Sequence, residues 1–534
     1  MPTAVWQFAE VEAVYQRLRP LTPYGRREAE RREILTDPSE LGRRYDRLDA
    51  MTDLLADAES ADRIRYHLGR IPLLPPVAQV ATGADLFRVK KFLVNCKALA
   101  ELIGRQGGAG QFGLAWQSDE LLKALDTSDS GQETFFLADR CSEELVSVRT
   151  EIRQIDSSLR AVRAAALDAL KTRHGLDFSQ RDFLVIDNGR AGRLAADEVY
   201  LEPFDSGHVI VRPVLPRKHF EMLTAREALL DRERRAEQGI LAELASAVRE
   251  REGVLHGYVK AIQSLDLALA GAELARSLGM TRPELRGPGE AIEIVGGLLV
   301  PLEEECGRQQ IEYRPLTAGF DTPHVLLHGS NMTGKSVVLK TVCSLQILAQ
   351  LGLFVPARRY RTMVFDRVSF IGTTGTEEAR GLSSFGQEIV DLRNALGHRD
   401  GVSLLVMDEF ARTTNSQEAA ALIAGLLSFL NSTDRIYSLL ATHYAGLPRF
   451  DRVRPWRMKG IDWARLRGEV GSQPAGDLAA RVRAINRCVP YEMVPAGDEQ
   501  VVHDAVSIAA MLGLDEAIVE FARRQVLADS SEAG

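Results

Sequence analysis

Gly329, Ser330, Asn331, Met332, Thr333, Gly334, Lys335 and Ser336 follow the pattern G-x-x-x-x-G-K-[ST], whose chemistry is phosphate binding. Glycine at both ends lets backbone N–H groups close around phosphate oxygens. A helix starting near Ser336, with Val337 in its first turn, would point its positive end at them. Lys335 is expected to reach the β- and γ-phosphates and Ser336 to hold Mg²⁺. A second cluster ends the run SLLVMDE at residues 403–409. There Asp408 would order Mg²⁺ through Ser336 or water, and Glu409 would polarise an attacking water. A third apolar run, LLATH, ends at His443, which could touch the γ-phosphate or serve as a plain loop histidine.

The elements that must hold these residues are legible in the surrounding pattern. Val325, Leu326 and Leu327 read as a buried strand, as do the runs before Asp408 and His443. Together with the strand-rich stretch from Ile292 and the boundary PELRGP at 283–288, they predict an α/β P-loop ATPase domain over residues 284–534. Residues up to about 177 read mostly as helices: Leu41, Tyr45, Leu48, Met51, Leu54 and Leu55 keep a 3.6-residue spacing. GRQGGAGQFG at 104–113 reads as a flexible break. A long amphipathic helix is expected over about 141–172, and a second helical stretch over about 220–278. Between them FLVI, VYLEPF and HVIVRP, punctuated by Asn188-Gly189 and Asp205-Ser206-Gly207, predict a small β insert at about 178–216. Two long helices carrying a small tip form an arm, and residues 1–283 form one long-helix domain. The fold class is mixed.

At 534 residues, with 45% hydrophobic composition, the chain has room for roughly three or four domains. Five cysteines are scattered without a C-x-x-C pair, which points to a reducing compartment and away from a zinc or disulfide framework. The N-terminus has no basic segment followed by an apolar core, and no apolar run approaches the roughly 18 residues of a membrane span. A cytoplasmic protein without membrane contact is expected. Net charge is −8, so the basic footprint usual for nucleic-acid binders is missing from the chain as a whole. Clusters such as Arg26, Arg27, Arg31 and Arg32 alternate with acids and read as solvated helix faces.

The phosphate-binding motif is followed by LAQLGLFVPA (348–357), DR (366–367), GLSSFGQEI (381–389), MDEFARTTN (407–415) and ATHY (441–444). These motifs, in this order and spacing, resemble the ATPase domain of the MutS family. LTPYGRREAERREILTDPSELGRRYDRLDAM resembles the start of that family's core-lever domain, FFLADRCSEELVSVRTEI its lever helix, and SLDLALAGAELA the helix returning to the ATPase. AVSIAAMLGLDEAIVEFARRQV resembles its terminal dimerisation helices. The resemblance implies a core/lever domain joined to an ABC-type ATPase, ATP and Mg²⁺ as ligands, and a homo- or heterodimer with a MutS-like subunit. It implies that Ser383 contacts the γ-phosphate bound by the other subunit. Tyr313 takes the place of an aromatic that stacks on adenine, a core tyrosine being the alternative, and His443 that of an ATP-sensing histidine. Arg412 and Thr414 match an R-x-T that follows the paired acids.

Departures from the family pattern are informative. No segment matching the family's mismatch-reading domain, its Phe-x-Glu wedge or its connector precedes the core domain in this sequence, so wedge-type mismatch reading is not expected. The insert at 178–216 stands where the family has a DNA-gripping clamp. It carries Arg181, Arg190, Arg193 and Arg212 against Asp182, Asp187, Asp197, Glu198, Glu202 and Asp205, a net-acidic tip poorly suited to phosphates. Ala411 and Thr413 replace glycines expected on either side of Arg412. Two functions follow. One is an ATP-dependent DNA-binding switch protein of the mismatch-repair and recombination type. The other is an ATP-dependent reactivating factor for an adenosylcobalamin-dependent amino-acid aminomutase, whose MutS-like associates this chain also resembles.

Overall fold

The computed structural model describes residues 3–105, 109–127, 137–287, 289–330, 333–372, 384–397, 401–444, 446–470, 485, 487–496 and 504–532. Helix and sheet are mixed throughout, and the chain divides into two compact units. The first comprises Met1–Gly69, Leu102–Leu114 and Lys260–Gly534, and the second Arg70–Glu101 and Ala115–Val259.

The second unit is built on the helices Glu143–His174 and Arg217–Glu250. Ser142 caps the first of these, its side chain accepting from the Glu144 N–H, and Gly175 ends it in the left-handed region at φ 68°. The pair is tied by charge as well as by apolar contact. Arg149, with 14% of its side chain exposed, meets Asp139, Glu233 and Glu237 at 2.9, 2.6 and 2.7 Å, and Arg226 meets Asp156 at 2.6 Å. Strands β1 (Leu184–Asp187), β2 (Val199–Pro203) and β3 (His208–Pro213) form an antiparallel sheet in the order β1-β3-β2. One face buries Ile186, Val199 and Val211 with Leu170 and Phe178. Phe183, Val185 and Tyr200 stay exposed.

The first unit carries two sheets. Strands β4 (Glu284–Leu285), β5 (Ile292–Gly297), β6 (Leu316–Phe320) and β8 (Arg359–Thr362) form one, in the order β4-β8-β5-β6. The other orders β13-β12-β7-β11-β10-β9, from β7 (His324–His328), β9 (Arg367–Ile371), β10 (Ser403–Asp408), β11 (Ile436–Thr442), β12 (Val453–Met458) and β13 (Met493–Pro495). All its pairings are parallel except β12 with β13, which explains why β7, β10 and β11 read as continuous apolar runs: a parallel sheet is covered on both faces.

The helix Lys335–Gln350 is buried from Val338 onward at nearly every position. Its polar side chains are satisfied internally. Gln346 donates to Gln350 Oε1 at 2.7 Å and to the Met363 carbonyl at 3.1 Å, and accepts from Tyr360 and Thr362 hydroxyls, both at 2.6 Å. Gln350 donates to the carbonyls of Phe365 and Leu35. The Tyr45 hydroxyl donates to the Ala349 carbonyl at 2.6 Å. Residues near the N-terminus therefore pack on this helix and lie in the same unit as residues 260–534. Asp266, fully buried, holds the turn before the helix Pro23–Ala29. Its carboxylate accepts from the N–H groups of Leu21 and Thr22, both at 2.8 Å, and from the Thr22 hydroxyl at 2.6 Å.

Within 104–113, read as a break, the structure places the end of the helix Gly83–Arg105 and a short helix Ala109–Phe112. Among the described residues no helix is long and apolar enough to cross a membrane.

Candidate functional site

β7 delivers the chain to Gly329, and the helix begins at Lys335 with Gly334 as its N-cap at φ 96°. A side chain at Gly334 would be strained by that φ and would also sit 3.1 Å from the Tyr491 ring. At Gly329 an added Cβ would come within 2.8 Å of the Thr333 hydroxyl. Gly334 is thus required by its φ, and Gly329 by the close approach of the Thr333 side chain. Thr333 Oγ1 donates to the Ser330 carbonyl at 2.7 Å. Asn331 and Met332 lie outside the described residues.

Lys335 is 4% exposed, and its ammonium donates to the carbonyls of Gly329 and Ser330 at 2.7 and 3.1 Å. Glu409 lies 3.7 Å from it. Burial pushes the ammonium below its ordinary range, and Glu409 and Asp408 oppose that shift. Asp408 ends β10. Burial raises its carboxyl, a hydrogen bond with Ser336 lowers it, and the Glu409 charge raises it further. Asp408 Oδ1 is buried without a hydrogen-bond partner. An orphaned carboxylate oxygen next to a serine hydroxyl is a hard-oxygen donor set that fits Mg²⁺, which completes its shell with water and phosphate oxygens. Among the described residues no cluster of three or more His, Cys, Asp or Glu could hold a metal ion, so a Mg²⁺ site here would depend on the nucleotide for ligands.

Glu409 has φ 51° and Ala411 φ 62°, both left-handed. The Glu409 N–H donates to the Ala441 carbonyl, and Arg412 approaches the Glu409 carboxylate at 3.4 Å. The Ala411 N–H donates to Glu388 Oε2 at 2.8 Å, from a buried position on the helix Ser384–Leu396.

A cavity of about 560 Å³ opens from this loop. Ser330, Gly334, Lys335, Ser336, Glu409, Tyr313, Leu302, Met458 and Tyr491 line it, with Tyr491 and Met458 close against Gly334. The Tyr313 hydroxyl accepts from the Leu299 N–H at 2.8 Å, which fixes the ring. Val337 also lines the cavity. His443 does not: it is exposed, with its ring 4.3 Å from that of Tyr444. Ser383 lies outside the described residues. Tyr491 and Met458 were not singled out from sequence. They arrive from segments far along the chain, and only the positive φ of Tyr491, 46°, marks it as unusual.

The profile of MutS domain V matches residues 325–459. Over 94% of its length the chain is 25% identical to the DNA mismatch repair protein MutS of Salinibacter ruber, of which it covers 55%. It is 32% identical over 49% of its length to the protein of the same name from Paracoccus denitrificans, covering 31% of it. With that of Geobacillus kaustophilus the figures are 24% identity, 79% of this chain and 48% of the relative. The chain thus spans about half the length, or less, of these relatives.

Proposed function

From the premise that this chain is a MutS-family protein, we propose that it is an ATP-binding and ATP-hydrolysing switch whose P-loop domain, residues 284–534, drives a dimer acting on DNA in the cytoplasm. The observation that carries this reading is one cavity lined both by Lys335, Ser336 and Glu409 and by the Tyr313 ring. Charged groups suited to a triphosphate and an aromatic ring suited to a base thus line the same cavity.

Gly329, Ser330, Asn331, Met332, Thr333 and Gly334 would wrap the phosphates, and Lys335 would exchange its loop carbonyls for phosphate oxygens. Ser336 and Asp408 would hold Mg²⁺, which when bound draws charge from the phosphates. Glu409, kept in place by Lys335 and Arg412, would orient the water and accept its proton. Tyr313 would stack on adenine. Ser383 would complete the site of the second subunit, and His443, beyond the end of β11, would sense the γ-phosphate from outside the cavity wall. Steady-state MgATP turnover tests the assignment: equal rates for wild type and Glu409→Gln would remove it.

A second reading, reactivation of an adenosylcobalamin-dependent aminomutase, is supported by the arm's tip. Arg190 donates to the carbonyls of His174 and Gly175, Arg212 lies 3.6 Å from Glu202, and Phe183, Tyr200 and Phe204 are exposed. Such a surface suits protein better than phosphate backbone. Fluorescence anisotropy with duplex, mismatched and junction DNA across a salt series separates the two. DNA binding through the tip requires a steep log–log salt slope, near −0.9 per phosphate contacted, whereas a protein complex held by shape and apolar contact tolerates moderate salt.

A further inference from the structure

A second cavity, of about 570 Å³, lies within the first unit at the far end of the helix Lys335–Gln350. Leu351 and Gly352 form part of its wall, and Arg31, Arg32, Arg44, Arg47 and Lys260 surround it, against Glu28, Glu33 and Glu40. The cations exceed the acids, and pairing does not remove the excess. Arg31 meets Glu28 at 3.1 Å, Arg32 meets Glu12 at 2.9 Å, and Arg44 lies 3.7 Å from Glu40. Arg47 is half-buried, and its guanidinium donates to the Gln111 carbonyl, a neutral partner. Among the described residues no carboxylate pairs with Arg47 or Lys260. Burial, then the Arg44 and Arg43 charges, hold the Arg47 guanidinium below its ordinary range, and Glu40 opposes that shift.

The site is also shaped for its arginines. Gly352 has φ 76°, and a Cβ there would fall 2.5 Å from Arg44 Cδ. Absence of a side chain lets the Arg44 stem lie on the backbone, with its guanidinium toward the Leu351 carbonyl at 3.4 Å. Helix-end carbonyls are only partial charges and cannot neutralise the set.

We propose that this cavity binds a small, multiply charged phosphate-bearing anion, held chiefly by Arg44, Arg47 and Lys260. It is a site separate from the Lys335 loop. The helix between them has 16 residues, about 24 Å at 1.5 Å per residue. Arg47 and Lys260 would each gain a charge-assisted partner, and the anion would draw residues 31–47 toward Lys260.

Inorganic pyrophosphate is the probe, titrated calorimetrically into the full chain carrying Lys335→Ala so that the phosphate loop is weakened. Saturable binding with a Kd below about 1 mM is expected, weakened tenfold or more by Arg47→Gln or by Lys260→Gln. Thermal melts check folding, and Lys260→Gln, at an exposed position, keeps the test valid if Arg47→Gln unfolds the chain. Absence of saturable binding, or binding indifferent to both substitutions, overturns the proposal. A short DNA duplex is the second arm: displacement of pyrophosphate by duplex would assign the cavity to a nucleic-acid backbone and overturn the small-anion reading.

Discussion

Glu388 accepts the backbone N–H of Ala411 at 2.8 Å, and so ties the helix Ser384–Leu396 to the turn that carries Glu409. In sequence that helix directly follows Ser383, so the bond links the helix after the residue proposed to complete a second subunit's site to the turn of the glutamate proposed to activate water. Glu388→Ala leaves a buried N–H unpaired in a left-handed turn, at a cost of about 1–3 kcal/mol. Lower melting temperature and reduced turnover are expected together. Glu388→Gln keeps an acceptor and should retain most of both.

Lys335 and Glu409 should fail differently. Lys335→Ala removes a charge-assisted phosphate contact and should weaken MgATP binding, read by equilibrium titration. Glu409→Gln should leave nucleotide bound yet slow turnover by roughly two or more orders of magnitude, the scale of a lost general base.

Ala411 adopts φ 62°, a conformation that costs a residue with a Cβ about 1 kcal/mol. Ala411→Gly relieves this, and glycine's greater freedom in the unfolded chain offsets part of the gain. Ala411 is fully buried, and loss of its packed methyl, about 0.8 kcal/mol, outweighs what remains, so a slightly lower denaturation midpoint is expected. A higher midpoint would mean that relief of the backbone strain outweighs the loss of that packing.

His324 is buried, its Nδ1 3.0 Å from the Ser438 hydroxyl, and burial with the nearby Arg452 charge brings its pKa down to about 4. Above pH 6.5 the folded and unfolded forms are both neutral at this site, and its contribution to stability is intact. As pH falls from 6.5 toward 4 the unfolded chain takes up a proton that the folded chain refuses, so stability is lost, by up to roughly 3 kcal/mol. His324→Gln should flatten the decline of melting temperature over that window. A decline identical to wild type would mean that other groups control it.

Arg190 closes the C-terminus of the helix Glu143–His174 through two carbonyls. Arg190→Ala should therefore destabilise the tip locally, seen as faster amide exchange in β1 and β3, while changing duplex binding little. A selective loss of DNA affinity without faster exchange would reverse that assignment.

The strand, turn and helix around residues 329–336 and the strand ending at Asp408 were legible because a strand end, a tight turn and a helix start specify one another locally. The long helices were legible for a similar reason, as their 3.6-residue period persists over many turns. The rest of the cavity's lining was not. Tyr491 and Met458 meet Gly334 only through the sheet order that brings β12 beside β7, and no local pattern encodes that order. Glu388 was hidden because a glutamate on an amphipathic helix reads as solvent-facing until its partner is known. The two-residue strand Glu284–Leu285 is too short to show alternation, and the packing of residues 1–69 with 260–534 depends on contacts such as Tyr45 to Ala349, hundreds of positions apart.

Gln346 and Gln350 clamp the last turns of the helix Lys335–Gln350 to Tyr360, Thr362, Met363, Phe365 and Leu35. A sliding or unwinding motion of this helix would break several buried hydrogen bonds at once, each costly to leave unmade. The loop at 329–334 therefore sits on an anvil rather than a spring: the strain of a nucleotide bound there, as proposed, would not be absorbed beneath Lys335. It would be discharged sideways, into the turn after Asp408 and the helix that holds it through Glu388.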